Sequence, residues 1–223
     1  MKDYRQSELR MYCISVILMY FLMGGRVDGL EVLAQGENII ELILGLLNNT
    51  ILSSTIYIII YVLDSIYEGD FKRKLVYIGG PEPGQTIFTR INNGKCDPRF
   101  SKEDVERYYK EILNNLTAGG NKRDQKFYQN QQWYRIYHQY REVTMIKVSA
   151  TDFRLCRDMF VATVNLLAIY IILSFIGITK CYGGYFVFLA AALVLTDVAA
   201  RMKGRKWVYN VIAYDISERK KTT

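Results

Sequence analysis

The feature that most constrains the fold is a set of four stretches that contain no charged residue. They cover residues 11–25, 42–63, 159–179 and 181–196, and are 15, 22, 21 and 16 residues long. A helix needs about 20 mostly apolar residues to cross a bilayer. The second and third stretches are long enough, and the fourth becomes so if its helix continues to Ala200. The first reaches only about 22 Å as a helix, so Arg10 and Arg26 would have to extend to the interface. The sequence therefore predicts an α-helical integral membrane protein with four transmembrane helices.

The first stretch has a competing interpretation as a signal peptide, because a basic start precedes an apolar core. The sequence after that core is GGRVDG, which lacks an A-x-A-like cleavage site. We therefore expect a retained helix.

The distribution of positive charge predicts the orientation of these helices. The chain has a formal net charge of +7, with 17 Lys/Arg against 11 Asp/Glu in residues 69–158 and seven Lys/Arg in residues 197–223. The short connection at 180–184 holds only Lys180. Basic segments next to spans stay in the cytoplasm. The predicted location is thus a bacterial inner (plasma) membrane, multi-pass, with both termini and residues 69–158 cytoplasmic.

These patterns divide the chain into four predicted parts. They are an N-terminal transmembrane pair in 1–68 (spans about 10–25 and 42–63), a cytoplasmic insert in 69–157, a C-terminal pair in 158–204 (spans about 159–179 and 181–200), and a cytoplasmic tail in 205–223. We expect the insert to be a small mixed α+β unit. Residues 74–78 and 85–91 look like two strands around a Pro/Gly turn. Residues 206–216 fit a third strand slightly better than an interfacial helix, because Val, Tyr and Ile favour strands.

Two helices are predicted within the insert. Helix 102–116 begins with Ser101 and Asp104 in the spacing of a capping box. Helix 124–147 is followed either by a new cap at 149–152 or by direct continuation into the third span. Trp133, Tyr137 and Tyr140 share one face of the second helix, which is either packed within the insert or, with nearby basic residues, a partner-binding surface. The candidates for partner binding are Trp133, Arg135, Tyr137, Tyr140, Arg141 and Lys147.

The second charge-free stretch is unusual because it carries many polar side chains. A helical arrangement places most of them on one broad face, which consists of Gly45, Asn49, Thr50, Ser53, Ser54 and Tyr57. Such a face is not expected to point at lipid. It indicates either helix packing and self-association or, when several copies assemble, a pore.

No catalytic motif is present. The chain has no Walker loop, GxSxG or HExxH sequence, only one His, and no Cys/His spacing typical of a metal site. We expect no catalytic residues, no metal and no cofactor, and therefore a protein that is not an enzyme. Direct nucleic-acid binding is also not expected, because insertion into a membrane already requires the basic excess.

The stretches RFSKEDVERYYKEI, YQNQQWYRIYHQYR and RDMFVATVNLLAIY lie within an overall plan that resembles small multi-span membrane proteins of bacterial antiphage defence systems, with the membrane subunit of Kiwa-type systems as the nearest example. The resemblance is one of architecture and assigns no role to any residue. It implies a membrane protein that works beside a soluble cytoplasmic partner. We therefore expect a homo-oligomeric membrane anchor, sensor or effector that recruits a cytoplasmic protein and alters membrane permeability in defence. The alternatives are a passive scaffold, or a channel-like protein unrelated to defence.

Overall fold

The computed structural model describes residues 3–23, 39–117 and 120–222, although the side chains of 3–6, 22, 39–49 and 52 are outside this description. The described chain is helical throughout, apart from turns and one 3-10 turn at Pro83–Gln85. The helices are α1 (Asp3–Met23), α2 (Ile39–Ile66), α3 (Gly69–Val76), α4 (Ile87–Asn92), α5 (Lys102–Tyr108), α6 (Lys110–Thr117), α7 (Lys122–Tyr140), α8 (Thr144–Phe175) and α9 (Gly183–Lys221). The predicted loop at 26–41 lies largely outside the described residues.

The helices form two compact units. Unit 1 comprises residues 1–76 and 155–200, and unit 2 comprises residues 77–154 and 201–223. Of the three boundaries between the units along the chain, the first follows the end of α3, and the other two fall inside α8 and α9.

Unit 1 is held together by apolar and tyrosine side chains from four helices. Its core consists of Cys13, Val16, Ile17, Ile60, Ala162, Leu166, Tyr170, Tyr185 and Leu189. The Tyr185 hydroxyl donates a hydrogen bond to the Val16 carbonyl at 3.1 Å, and the Tyr185 ring lies edge-on to Tyr170 with centroids 4.9 Å apart. Such edge-to-face pairs add about 0.5–1.5 kcal/mol beyond the burial of their area. The hydrogen bond to Val16 and the contact with Tyr170 together hold α1, α8 and α9 against each other within this unit.

The end of α8 is set by a glycine. Gly177 has φ +76°, and the N–H groups of Gly177 and Ile178 donate to the carbonyls of Ser174 and Leu173. This is the Schellman arrangement, in which a left-handed residue lets the chain reverse while the last helical carbonyls stay bonded. The sequence-predicted tight connection between the last two apolar helices therefore begins at this glycine.

Unit 2 is an all-helical module, so the predicted mixed α+β insert is wrong. Residues 74–78 end α3 and enter a turn, residues 85–91 form part of the 3-10 turn and α4, and residues 206–216 lie in the middle of α9. The physical reason is burial with helical spacing: Val208, Val211, Ile212 and Ile216 are all buried in one core. Packing of this kind outweighs the strand propensity of Val and Ile.

The prediction of four transmembrane helices is also wrong. Among the described residues, only α8 and α9 are long and apolar enough to cross a membrane. The charge-free part of α1 is about 20 Å long, which is short of the roughly 30 Å hydrocarbon core of a bilayer. In α2, where the side chains of 39–49 and 52 lie outside the described residues, the described apolar segment is Ser53–Ile66.

The local helix predictions in the insert had mixed outcomes. The capping box at the start of α5 is confirmed, because Ser101 and Asp104 exchange side-chain to backbone hydrogen bonds. The single helix predicted at 102–116 is two helices that meet at Tyr109. Helix α7 ends at Tyr140 rather than 147, and α8 runs through 149–152 without a new cap.

Candidate functional site

A compensated cluster of four charged side chains lies in unit 1. The Lys72 ammonium, on α3, contacts the Asp64 carboxylate at the end of α2 and lies 3.7 Å from the Asp158 carboxylate on α8. Arg157 completes the cluster, with its guanidinium 2.8 Å from Asp158. Lys72 is only 5% exposed, and a buried charge is tolerated only when it is paired and hydrogen-bonded. Two carboxylates and two cations meet this requirement.

A second set of polar contacts continues along α8. The Tyr12 and Thr163 hydroxyls are 2.6 Å apart, and the Tyr67 hydroxyl donates to the Asn165 side-chain carbonyl at 3.3 Å. Thr163 and Asn165 are both buried. Within the described part of the chain, the buried Asn165 amide nitrogen has no hydrogen-bond acceptor. These contacts tie α1 and the segment after α2 to a helix whose surroundings are otherwise apolar.

A cavity of about 240 Å³ opens beside the Asp64 carboxylate. Its walls combine apolar groups with a guanidinium, a carboxylate and two phenols. It is lined by Ser7, Leu9, Arg10, Cys13, Tyr57, Ile60, Tyr61, Asp64 and Ala162. Opposite charges from α1 and α2 thus face the same small volume, which makes this the most chemically specific concave surface described in unit 1.

The predicted polar face of α2 is only partly visible, because the side chains of Gly45 and Asn49 lie outside the described residues. Thr50 and Ser54 are exposed, Ser53 is half-buried, and only Tyr57 of the predicted set lines the cavity. The interpretations as a packing face and as a pore both stay predictions.

Two hydroxyls of α2 that lie outside this face show how the helix accommodates polar side chains. The Thr55 hydroxyl donates to the Ile51 carbonyl at 2.9 Å, and the Ser65 hydroxyl donates to the Tyr61 carbonyl at 2.8 Å. A hydroxyl that bonds to the carbonyl four residues earlier needs no partner on another helix. These two residues therefore give no support to an interhelical or pore-lining role.

In unit 2, the predicted aromatic face of α7 packs against α9. Trp133 is 2% exposed, and its indole N–H donates to the Val208 carbonyl at 3.4 Å. The rings of Trp133 and Tyr137 lie edge-on to Trp207 at 4.9 and 5.0 Å. Tyr140 is in similar contact with Tyr214 at 5.2 Å. The aromatic half of the predicted partner surface is thus occupied by intramolecular packing.

The basic half of that predicted surface is more accessible. Arg135 and Arg141 are exposed, whereas Lys147 is half-buried and lies 3.3 Å from the Glu142 carboxylate. The structure does not place these three cations in one cluster with the aromatic rings. Their role in partner binding stays a prediction.

Sequence reasoning missed a buried carboxylate in unit 2. Asp215 is 0% exposed and accepts hydrogen bonds from the Tyr109 hydroxyl at 2.5 Å and from Arg219 Nε at 2.8 Å. The Arg219 guanidinium also lies over the Tyr109 ring, 5.5 Å from its centroid. Burial and the adjacent Asp215 carboxylate raise the pKa of Tyr109 well above its usual range and raise that of Tyr140 to about 12. The available signal was the four-residue spacing of Asp215 and Arg219 within an apolar stretch.

Metal binding has no visible basis in the described ranges, where no group of three or more His, Cys, Asp or Glu side chains is arranged to hold a metal ion. Comparison with family models, curated proteins and solved structures found no match to this chain. The function of this protein must therefore be inferred from the geometry and charge of the chain itself.

Proposed function

We propose that this protein is a membrane anchor, in which α8 and α9 cross the bilayer and unit 2 holds a soluble partner on the cytoplasmic side. The observation that carries the proposal is the exposure of large apolar side chains along the two helices within unit 1. The exposed residues include Ile171, Ile172, Phe175, Ile176, Phe186, Val187, Val194, Leu195 and Val198. Phe175 alone is 91% exposed.

Exposing these apolar side chains to water costs free energy. Transfer of one such side chain from water to an apolar environment is worth about 1.5–3 kcal/mol. A continuous exposed apolar surface of this kind in a monomer is typical of contact with lipid or protein. The parts of α8 and α9 that lie within unit 1, residues 155–175 and 183–200, reach about 32 and 27 Å at 1.5 Å per residue, close to the roughly 30 Å hydrocarbon core.

The charges around these helices support one orientation. The connection between α8 and α9 carries only Lys180, whereas Arg201, Lys203, Arg205 and Lys206 follow directly after the apolar part of α9. Loops rich in Lys and Arg remain cytoplasmic. In the proposed orientation the connection lies outside, and residues 77–154 and the C-terminal part of α9 lie inside.

The charge of unit 2 supports the partner role. It has 20 Lys/Arg against 11 Asp/Glu, a net charge of +9, whereas unit 1 has nine against 11. A strongly basic module accelerates encounter with an acidic partner and favours its binding. The expected partner is an acidic protein surface that binds near Arg135 and Arg141. Self-association and a place in antiphage defence belong to the same proposal.

Membrane insertion is tested by extraction and labelling. Sodium carbonate should leave the protein in the membrane pellet, and a mild detergent should release it. A membrane-impermeant maleimide added to intact bacterial cells should label Cys181, which is exposed in the connection. Cys181→Ser should abolish that signal.

The orientation of unit 2 needs a separate reporter. Gln131 is exposed on α7, so Gln131→Cys in a chain that also carries Cys96→Ser and Cys181→Ser provides one. This variant should be labelled only after the cells are permeabilised. Labelling before permeabilisation, or release of the protein by carbonate, would contradict the proposed anchor.

A further inference from the structure

We infer that the cavity of unit 1 binds the phosphoethanolamine headgroup of a zwitterionic phospholipid, with its phosphate against Arg10 and its ammonium against Asp64. This inference rests on the membrane location proposed above, and it adds a ligand class that the anchor function does not require. The cavity volume of about 240 Å³ is below the roughly 300–1,000 Å³ of sites for drug-sized molecules. It suits a headgroup rather than a larger ligand.

The phosphate would bind at Arg10, which is exposed and lines the cavity. A guanidinium presents several N–H donors in a fixed plane that matches two phosphate oxygens. The Tyr57 and Tyr61 phenols line the same cavity and can donate further hydrogen bonds to an anion.

The ammonium would bind at Asp64, which also lines the cavity. Lys72 binds its Oδ1 oxygen, which leaves Oδ2 as the natural acceptor for a ligand. Asp158 is separately paired with Arg157, so the four-charge cluster is neutral in total. A purely anionic headgroup would bring its charge close to the Asp64 carboxylate. A zwitterion avoids that repulsion, and a primary ammonium can donate to Asp64 whereas a trimethylammonium cannot.

The walls of the cavity favour an amphiphile over a free headgroup. Leu9, Ile60 and Ala162 supply its apolar lining. Beside the lining residues in sequence, Met11 and Val62 are exposed. Acyl chains that leave the cavity would meet these apolar side chains.

The inference is tested by native mass spectrometry of the full chain in mild detergent, with equimolar phosphatidylethanolamine, phosphatidylcholine and phosphatidylglycerol that carry identical acyl chains. The wild-type chain should retain phosphatidylethanolamine in preference to the other two. Arg10→Gln should lower that retention about tenfold, the effect of losing one charge-assisted hydrogen bond. Tyr57→Phe should lower it less. Arg123→Gln removes the same charge from unit 2, where Arg123 is exposed, and should leave retention unchanged.

Other outcomes distinguish a lipid headgroup from a soluble ligand, and recognition of the phosphate alone from recognition of both charges. Equal retention of phosphatidylethanolamine and phosphatidylglycerol, both lost in Arg10→Gln, would show phosphate recognition alone and overturn the role of Asp64. Displacement of the lipid by millimolar free phosphoethanolamine would identify a soluble ligand and overturn the amphiphile. Carbonate extraction and maleimide labelling test membrane insertion independently. A chain that passes both tests but shows no headgroup preference would therefore overturn this inference alone.

Discussion

Removing the Tyr109 hydroxyl provides the sharpest test of the buried network in unit 2. In Tyr109→Phe the ring remains in edge-on contact with Phe88, at 5.3 Å between centroids, and beneath the Arg219 guanidinium. Only the hydrogen bond to Asp215 is lost. Because Asp215 is fully buried, the substitution leaves a desolvated carboxylate with one donor fewer.

The expected cost follows from that geometry. A hydrogen bond to a charged group contributes about 1.5–3 kcal/mol to stability. For a chain of this size each kcal/mol shifts the unfolding temperature by about 2–4 °C, so we expect a decrease of about 3–12 °C. Arg219 still binds Asp215 in this variant, but its side chain is 43% exposed. Solvent screening therefore limits how far it compensates.

Tryptophan fluorescence is the appropriate assay, because both tryptophans of the chain, Trp133 and Trp207, lie in the aromatic cluster of unit 2. Tyr108→Phe is the matched control: it removes a neighbouring hydroxyl for which no bond to Asp215 is present. The cost of Tyr109→Phe should fall to about 0.5–1.5 kcal/mol in an Asp215→Asn background, since the hydrogen bond is then neutral. If Tyr109→Phe and Tyr108→Phe unfold at the same temperature, the network does not stabilise unit 2 as argued.

Three further predictions use other features of the two units. Lys72→Met should reduce the yield of folded, detergent-extracted protein measured by size-exclusion chromatography, because it leaves a carboxylate pair without its shared cation; an unchanged yield would contradict this. Gly204→Ala should destabilise unit 2 by about 1–3 kcal/mol, because an added Cβ would overlap the Tyr77 hydroxyl and lie 3.0 Å from the Phe153 ring; fluorescence-monitored unfolding checks this, and Ala199→Gly is a helix-propensity control. Acid should weaken unit 2, because Arg99 and Lys220 hold the pKa values of Asp97 and Asp104 below the usual 3.8. The stability from these pairs is complete above pH 3.8 and is lost as the pH falls through the lower folded-state values, so fluorescence unfolding between pH 2 and 6 should show a decline that is smaller in Asp104→Asn.

The long apolar helices are the part of the fold that could be predicted from the sequence. The charge-free stretch 159–179 falls largely in α8, and 181–196 falls largely in α9. A run of about 20 apolar residues has few alternatives to a helix, since an open strand of that length leaves its backbone groups without partners in lipid. The stretch 11–25 carried less information, because its 15 residues are fewer than the about 20 that a span needs.

The strand predictions failed for a different reason. In residues 206–216, the abundance of Val, Tyr and Ile favours a strand over the alternative of an interfacial helix anchored by Trp207. The positions of Val208, Val211 and Ile212 were already those of one helix face. The three- and four-residue spacing of these apolar residues therefore predicts the structure of this segment better than the abundance of Val, Tyr and Ile does.

The candidate site in unit 1 could not be predicted from sequence, because it joins residues far apart in the chain. Lys72, Asp64 and Asp158 come from three helices, and Arg10 comes from a fourth. Nothing in the local sequence of Lys72 distinguishes it from its exposed neighbour Lys74. Only tertiary packing determines which of the two lysines is buried between carboxylates.

Unit 2 carries more positive charge than an anchor needs for its orientation, and this excess is what a partner-binding function would use. Orientation of a helix pair requires positive charge near the ends of the spans, and Arg201, Lys203, Arg205 and Lys206 supply it. Arg135, exposed on α7, lies 20 residues before the part of α8 in unit 1, at the limit of the range over which charges orient a span, so it contributes little to insertion by that rule. If Arg135 and Arg141 served only solubility, reversing both to Glu would leave both topology and partner capture unchanged. We expect unchanged maleimide labelling of Cys181 together with loss of the cytoplasmic partner, a combination that a passive anchor would not produce.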